Sequence, residues 1–117
     1  MAEEIISLDR LNAYRVMWVF VLFDLPVETK AERKAANTFR KDVLKLGFGR
    51  FQLSAYQRVC CSREVAVATI KAVKRAVPDY GTVSFITITD RQFTDIETYR
   101  IGVKVKEKGA PEQLTLF

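Results

Sequence analysis

The feature that constrains the fold most is an unbroken apolar run, Val16-Met17-Trp18-Val19-Phe20-Val21-Leu22-Phe23, which stops at Asp24-Leu25-Pro26. It is rich in β-branched and aromatic residues, which pack well on a pleated surface. It is far too short to cross a bilayer as a helix. A short apolar run without alternation predicts a central strand buried on both faces. The rest of the chain must then cover two faces, and 117 residues are enough for one core.

The segments that follow supply one covering layer. Thr29 and Glu32 have capping-box spacing. Ala35, Ala36, Phe39, Val43 and Leu46 then share a helical face, and Gly47 supplies the stop. From Arg50 to Cys60 the pattern alternates with period two, and its phase changes near Tyr56. A bulge or a bend between two short strands accounts for that change. Ser62 caps a second helix with an Ala66, Ile70, Val73 and Val77 stripe, closed by Pro78. Thr82 to Thr89 reads as another strand, ended by Asp90-Arg91. Last, Tyr99, Ile101, Val103 and Val105 alternate with Arg100 and Lys104, which predicts an edge strand over 96–105.

This order predicts an α+β fold, a ferredoxin-like βαββαβ sandwich with an extra C-terminal strand. The domain spans 14–105, between an N-terminal extension (1–13) and a polar, flexible tail (106–117). Both helices cover one sheet face. A two-fold homodimer is the simplest cover for the other.

Charge narrows the partner. Between Lys30 and Arg75 stand 12 Lys and Arg against three acids, a net +9, while the rest of the chain carries −4. Such asymmetry fits a polyanion, with nucleic acid ahead of two merely solvated helix faces. Histidine is absent. Ser-His-Asp triads, Cys-His pairs, histidine zinc sites and histidine bases are therefore excluded. The two cysteines, Cys60 and Cys61, are neighbours and cannot staple distant segments. They point to a reducing, cytoplasmic setting, as does a Met-Ala-Glu-Glu start without the basic flank of a signal peptide.

Two readings of Asp24 stand side by side. A carboxylate at the exit of a rigid strand is a common place for function. Mg²⁺ needs only one or two carboxylates plus waters, and a dimer axis would bring two copies together. Equally, Asp24 is a good turn residue before a helix. Asp90 belongs at the opposite end of the sheet and cannot complete an Asp24 site in one protomer.

Three segments resemble a known family. Val19-Phe20-Val21-Leu22-Phe23-Asp24-Leu25-Pro26, Gly49-Arg50-Phe51-Gln52-Leu53-Ser54-Ala55-Tyr56 and the block from Gly81 to Phe93 together look like the CRISPR-associated Cas-two proteins. The resemblance covers roughly Tyr14 to Gly102. It implies a ferredoxin-like homodimer in which Asp24 is the metal-binding and catalytic residue, with Mg²⁺ as the metal. It also implies two roles. One is metal-dependent cleavage of RNA, or of DNA in some members. The other is a bridge between two CRISPR integrase dimers during spacer acquisition, for which cleavage is dispensable. In the bridging role the basic residues Lys30, Arg33, Lys34, Lys41, Arg50, Arg58, Lys74 and Arg75 would grip the backbone of duplex DNA without reading its sequence. Single-stranded RNA is a further partner that the nuclease role would admit, with RNA and DNA both open as substrates.

Other features carry weaker expectations. Ser54 and Tyr56 are either near the Asp24 end or ordinary strand residues, with Tyr56 favoured at the dimer contact. Trp18 and the phenylalanines are core rather than base-stacking platforms. The tail residues Gln113, Leu114, Leu116 and Phe117 resemble the bacterial sliding-clamp binding pentapeptide, with docking on the dimer or the integrase as the alternative. Two further classes compete: a stand-alone toxin-like ribonuclease, and a regulatory domain that binds a small molecule. No Gly-rich ligand loop favours the latter, and no segment predicts a membrane anchor.

Overall fold

The computed structural model describes residues 16–102. The elements run β1 (Met17–Asp24), α1 (Lys30–Lys45), β2 (Gly49–Gln52), β3 (Ala55–Cys60), α2 (Arg63–Lys74), β4 (Thr82–Thr89) and α3 (Asp90–Thr94). The four strands form one antiparallel sheet in the order β2-β3-β1-β4. This is the ferredoxin-like βαββαβ arrangement, with the apolar run as a central strand.

Strand parity divides β1 into two sets of side chains. Val21 stands opposite Tyr56 of β3 and Phe85 of β4. With Met17, Val19 and Phe23, these residues join Phe39 and Val43 of α1 and Ala66 and Val73 of α2 in one core cluster. Phe23 packs edge-on to Phe39 at 5.3 Å between centroids and stacks on Tyr56 at 5.6 Å. The other set, Trp18, Phe20 and Leu22, faces away from α1 and α2, opposite Ile88, Ile86 and Ser84.

Helix α1 forms where its caps and its stripe agree. The Thr29 hydroxyl accepts from Glu32 N–H at 3.0 Å, and Glu32 Oε1 accepts from Thr29 N–H at 3.0 Å. At the far end Gly47 (φ 94°) takes the left-handed conformation. Its N–H donates to Leu44 C=O, and Phe48 N–H donates to Val43 C=O. That pair of bonds is a Schellman closure, which favours glycine at this position. In α2 the Ser62 hydroxyl caps Val65 N–H at 3.1 Å.

The phase change near Tyr56 is, as expected, a break between two short strands: a hairpin turning at Leu53-Ser54, with a register shift between Arg50 and Gln52. Leu53 lies at that turn, 69% exposed. The structure changes three other expectations. Tyr56 is buried on the helix side, so it belongs to the core and not to the bare face where a dimer contact was expected. After β4 the chain makes a short helix, α3, closed by a Thr89–Gln92 capping box. Finally, the described part of the expected edge strand, residues 96–102, forms no strand. Tyr99 and Ile101 stand 79% and 86% exposed there, so in the single chain the alternating pattern has no sheet surface to pack against. The extension 1–13 and the tail 106–117, with Gln113, Leu114, Leu116 and Phe117, lie outside the described residues.

Candidate functional site

Asp24 is the last residue of β1 and pairs with Thr82 of β4. Parity puts it on the side turned away from α1 and α2, with Trp18, Phe20 and Leu22. It is exposed, and its carboxylate has no hydrogen-bond partner among the described residues. The turn that follows is held by other groups. Glu32 Oε1 accepts from Glu28 N–H at 2.9 Å, and Arg33 Nη1 donates to Val27 C=O at 3.0 Å and Glu28 C=O at 3.1 Å. Of the two readings of Asp24, the turn reading therefore loses its physical basis. The carboxylate is held at the end of a rigid strand and is left free.

The backbone around it is firmly placed. Phe23 N–H donates to Ser54 C=O at 3.0 Å, tying the strand end to the β2–β3 turn. Gly81, just before β4, lies directly against Asp24 and Leu25. Asp90 sits at the opposite end of the sheet, as expected, since Thr89 pairs with Met17 and Asp90 N–H donates to Val16 C=O. Its Oδ1 accepts from Trp18 Nε1 at 2.8 Å, which makes it a structural acceptor.

Among the described residues no group of three or more His, Cys, Asp or Glu stands together. A single free carboxylate suits a hard cation that keeps most of its waters, and two would come from a dimer.

The basic residues separate into three kinds. Lys30, Lys34, Lys41 and Lys45 recur along α1 at positions that share one face and point opposite to buried Ala36, Phe39 and Val43. All four are exposed. At 1.5 Å per residue this stripe is about 22 Å long. Lys74, the last residue of α2, and Arg75, its cap, are exposed at that helix's far end, and Arg50 is exposed on β2. Arg33 is exposed but also braces the 27–28 turn. Arg58 is different. It is half-buried, and its Nη1 donates to Leu46 C=O at 3.1 Å and Thr69 Oγ1 at 3.0 Å. It joins β3 to α2 and to the end of α1, so Arg58 has a structural role that its expected place among the nucleic-acid contacts does not account for. Arg40 is a packing residue that no pattern in the sequence marks. Its guanidinium lies 5.8 Å from the Phe23 ring centroid.

The bare side of the sheet is apolar. Trp18 stacks on Phe93 of α3 at 3.7 Å with planes 5° apart, and Phe20 meets Phe51 edge-on at 5.1 Å. Beyond these, Val59 and Ile86 are 50% and 45% exposed. Gln57, opposite Phe20, has a buried Oε1 without a hydrogen-bond partner among the described residues. Among the described residues no helix is long and apolar enough to cross a membrane.

Fold and site together define a ferredoxin-like α+β domain with a free strand-end carboxylate, a cationic helical layer and one uncovered apolar sheet face. Comparison with known proteins gives the family. The model of the family described as CRISPR associated protein Cas2 matches residues 17–96. A CRISPR-associated endoribonuclease Cas2 of Flavobacterium psychrophilum is 46% identical over 109 residues, covering 92% of this chain and 94% of that protein. One of the same name from Parvibaculum lavamentivorans is 45% identical over 101 residues, covering 86% and 100%. A solved structure titled as a crystal structure of Cas2 superposes with a TM-score of 0.53 at 20% identity, over 74% of this chain and 87% of that one, a likeness of fold. The chain belongs to the Cas2 family of CRISPR-associated proteins.

Proposed function

We propose that this protein is the dimeric, duplex-DNA-binding bridge of a CRISPR spacer-integration complex, working with the CRISPR integrase in the cytoplasm. The observation that carries the reading is the lysine stripe Lys30, Lys34, Lys41 and Lys45 on the outward face of α1. Lysines about 22 Å apart from end to end suit the phosphate backbone of a duplex rather than a small ligand. The uncovered apolar face supports a homodimer, which would set two such stripes on one assembly.

A second reading is supported by the free Asp24 carboxylate and by the name endoribonuclease that relatives carry. Here Asp24 would bind Mg²⁺ together with its copy across the dimer axis. When bound, the ion would supply a water activated for attack on an RNA or DNA phosphodiester. The protein's own part is to hold the carboxylate rigid and to keep the polyanion on the basic helices.

One set of variants separates the two. Replacing the four stripe lysines by alanine should weaken binding of a random duplex in fluorescence anisotropy. It should also lower the salt slope by up to about 0.9 for each phosphate that is no longer neutralised. Asp24→Asn should leave that binding unchanged and abolish metal-dependent cleavage. Duplex affinity that ignores the four alanines would overturn the bridge reading. Cleavage that survives Asp24→Asn would overturn the role of Asp24, and a wild type without metal-dependent cleavage would overturn the nuclease reading.

A further inference from the structure

We propose that Gly81 is a positioning residue for Asp24. The proposal rests on the reading of Asp24 as a metal-binding carboxylate. Gly81 precedes Thr82, the residue paired with Asp24, and its φ is +111°. A Cβ built there would stand 2.7 Å from Leu25 Cδ2, 2.9 Å from the Asp24 carbonyl oxygen and 3.2 Å from Leu25 Cα. The first contact is the tip of a side chain and can swing away. The other two are backbone, so they are relieved only by moving backbone, either at Gly81 itself or in the chain that carries Asp24.

The neighbourhood limits where that chain can go. Ordinary contact begins near 3.4 Å, so the Cβ and the Asp24 carbonyl must move apart by about half an ångström. On its other side the strand end is held through Phe23 N–H to Ser54 C=O. In the proposal the displacement is taken up at the Asp24–Leu25 turn, beyond that anchor, and redirects the carboxylate. A metal shared between two copies would feel the change from both sides, because misplacement on this scale alters oriented chemistry steeply.

Gly47 supplies the matched control. Its φ of +94° is also unfavourable for a side chain, but the three heavy atoms nearest a Cβ there all belong to the Arg58 side chain, the closest at 3.3 Å. Gly47→Ala carries similar backbone strain without touching the Asp24 turn.

The experiment compares the full-length wild type, Gly81→Ala, Gly47→Ala and Asp24→Asn. Mn²⁺ binding is read by electron paramagnetic resonance, and the Asp24 and Leu25 amides by ¹H–¹⁵N correlation spectra. Both alanine variants should melt at lower temperature. Only Gly81→Ala should move the Asp24 and Leu25 amides and weaken Mn²⁺ binding, by roughly tenfold or more. Gly81→Ala with unchanged amides and wild-type Mn²⁺ affinity would overturn the proposal, as would an equal loss of Mn²⁺ binding in Gly47→Ala. If Asp24→Asn binds Mn²⁺ like wild type, the metal reading of Asp24 falls, and the amides alone decide the role of Gly81. If Gly81→Ala does not fold, the double variant Gly81→Ala/Leu25→Ala carries the test. It removes the clash with the Leu25 side chain and keeps the one with the Asp24 carbonyl. Restored Mn²⁺ binding in it would contradict the proposal.

Discussion

The two faces of β1 are made by alternate residues of one strand, yet they have opposite fates. Met17, Val19, Val21 and Phe23 are closed over by the chain's own helices, with Val19 and Val21 fully buried. On the other face Phe20 is also buried, against Phe51 from a short strand and Phe93 from a short helix, while Trp18 and Leu22 are half-buried. An apolar run predicts burial on both faces but not who provides it. Here α1 and α2 close one face, and the other is the face on which the proposed dimer would form. Asp24 belongs by parity to that second face, so the carboxylate and the surface available to a second copy share one side of the sheet.

Substitutions can break this division. The largest effect is expected in the helical face. Phe39→Ala removes a ring packed against Phe23 and should cost about 3–5 kcal/mol, read by urea unfolding. A smaller effect is expected across the sheet. Trp18→Phe keeps a ring against Phe93 but loses the Nε1–H donor to Asp90, and should cost about 1–2 kcal/mol. If Trp18→Phe proved as damaging as Phe39→Ala, the two faces would be equal partners in folding and the distinction would fail.

Much of this is legible in the sequence, for reasons that can be named. The apolar run, the Thr29 capping box, the Gly47 stop and the position of Asp24 depend on residues close together in the chain. What escapes depends on pairs far apart. In the sequence Arg58 is one more cation of a basic stretch, because its partners Leu46 and Thr69 lie 12 and 11 residues away. Thr69 interrupts the apolar stripe of α2, but it is buried because its hydroxyl donates to Val65 C=O and accepts from Arg58. Gly81 marks only the start of a strand in the sequence, and its closeness to Asp24 comes from the β1–β4 register. Helix α3 has a local signal, Thr89 followed three residues later by Gln92, hidden by the strand pattern on either side. The fate of Asp24 also needs the structure, since only there do Glu32 and Arg33 account for the turn without it.

The central proposal is that this second face of β1, together with β4, is where a second copy of the chain docks. Sedimentation equilibrium of wild type and Ile86→Lys tests this most directly, because Ile86 is already 45% exposed and a lysine there does not disturb the core. The predicted result is a dimeric wild type and a monomeric Ile86→Lys with unchanged secondary structure by circular dichroism. A wild type that sediments as a monomer, or an Ile86→Lys variant that remains as dimeric as wild type, would contradict it.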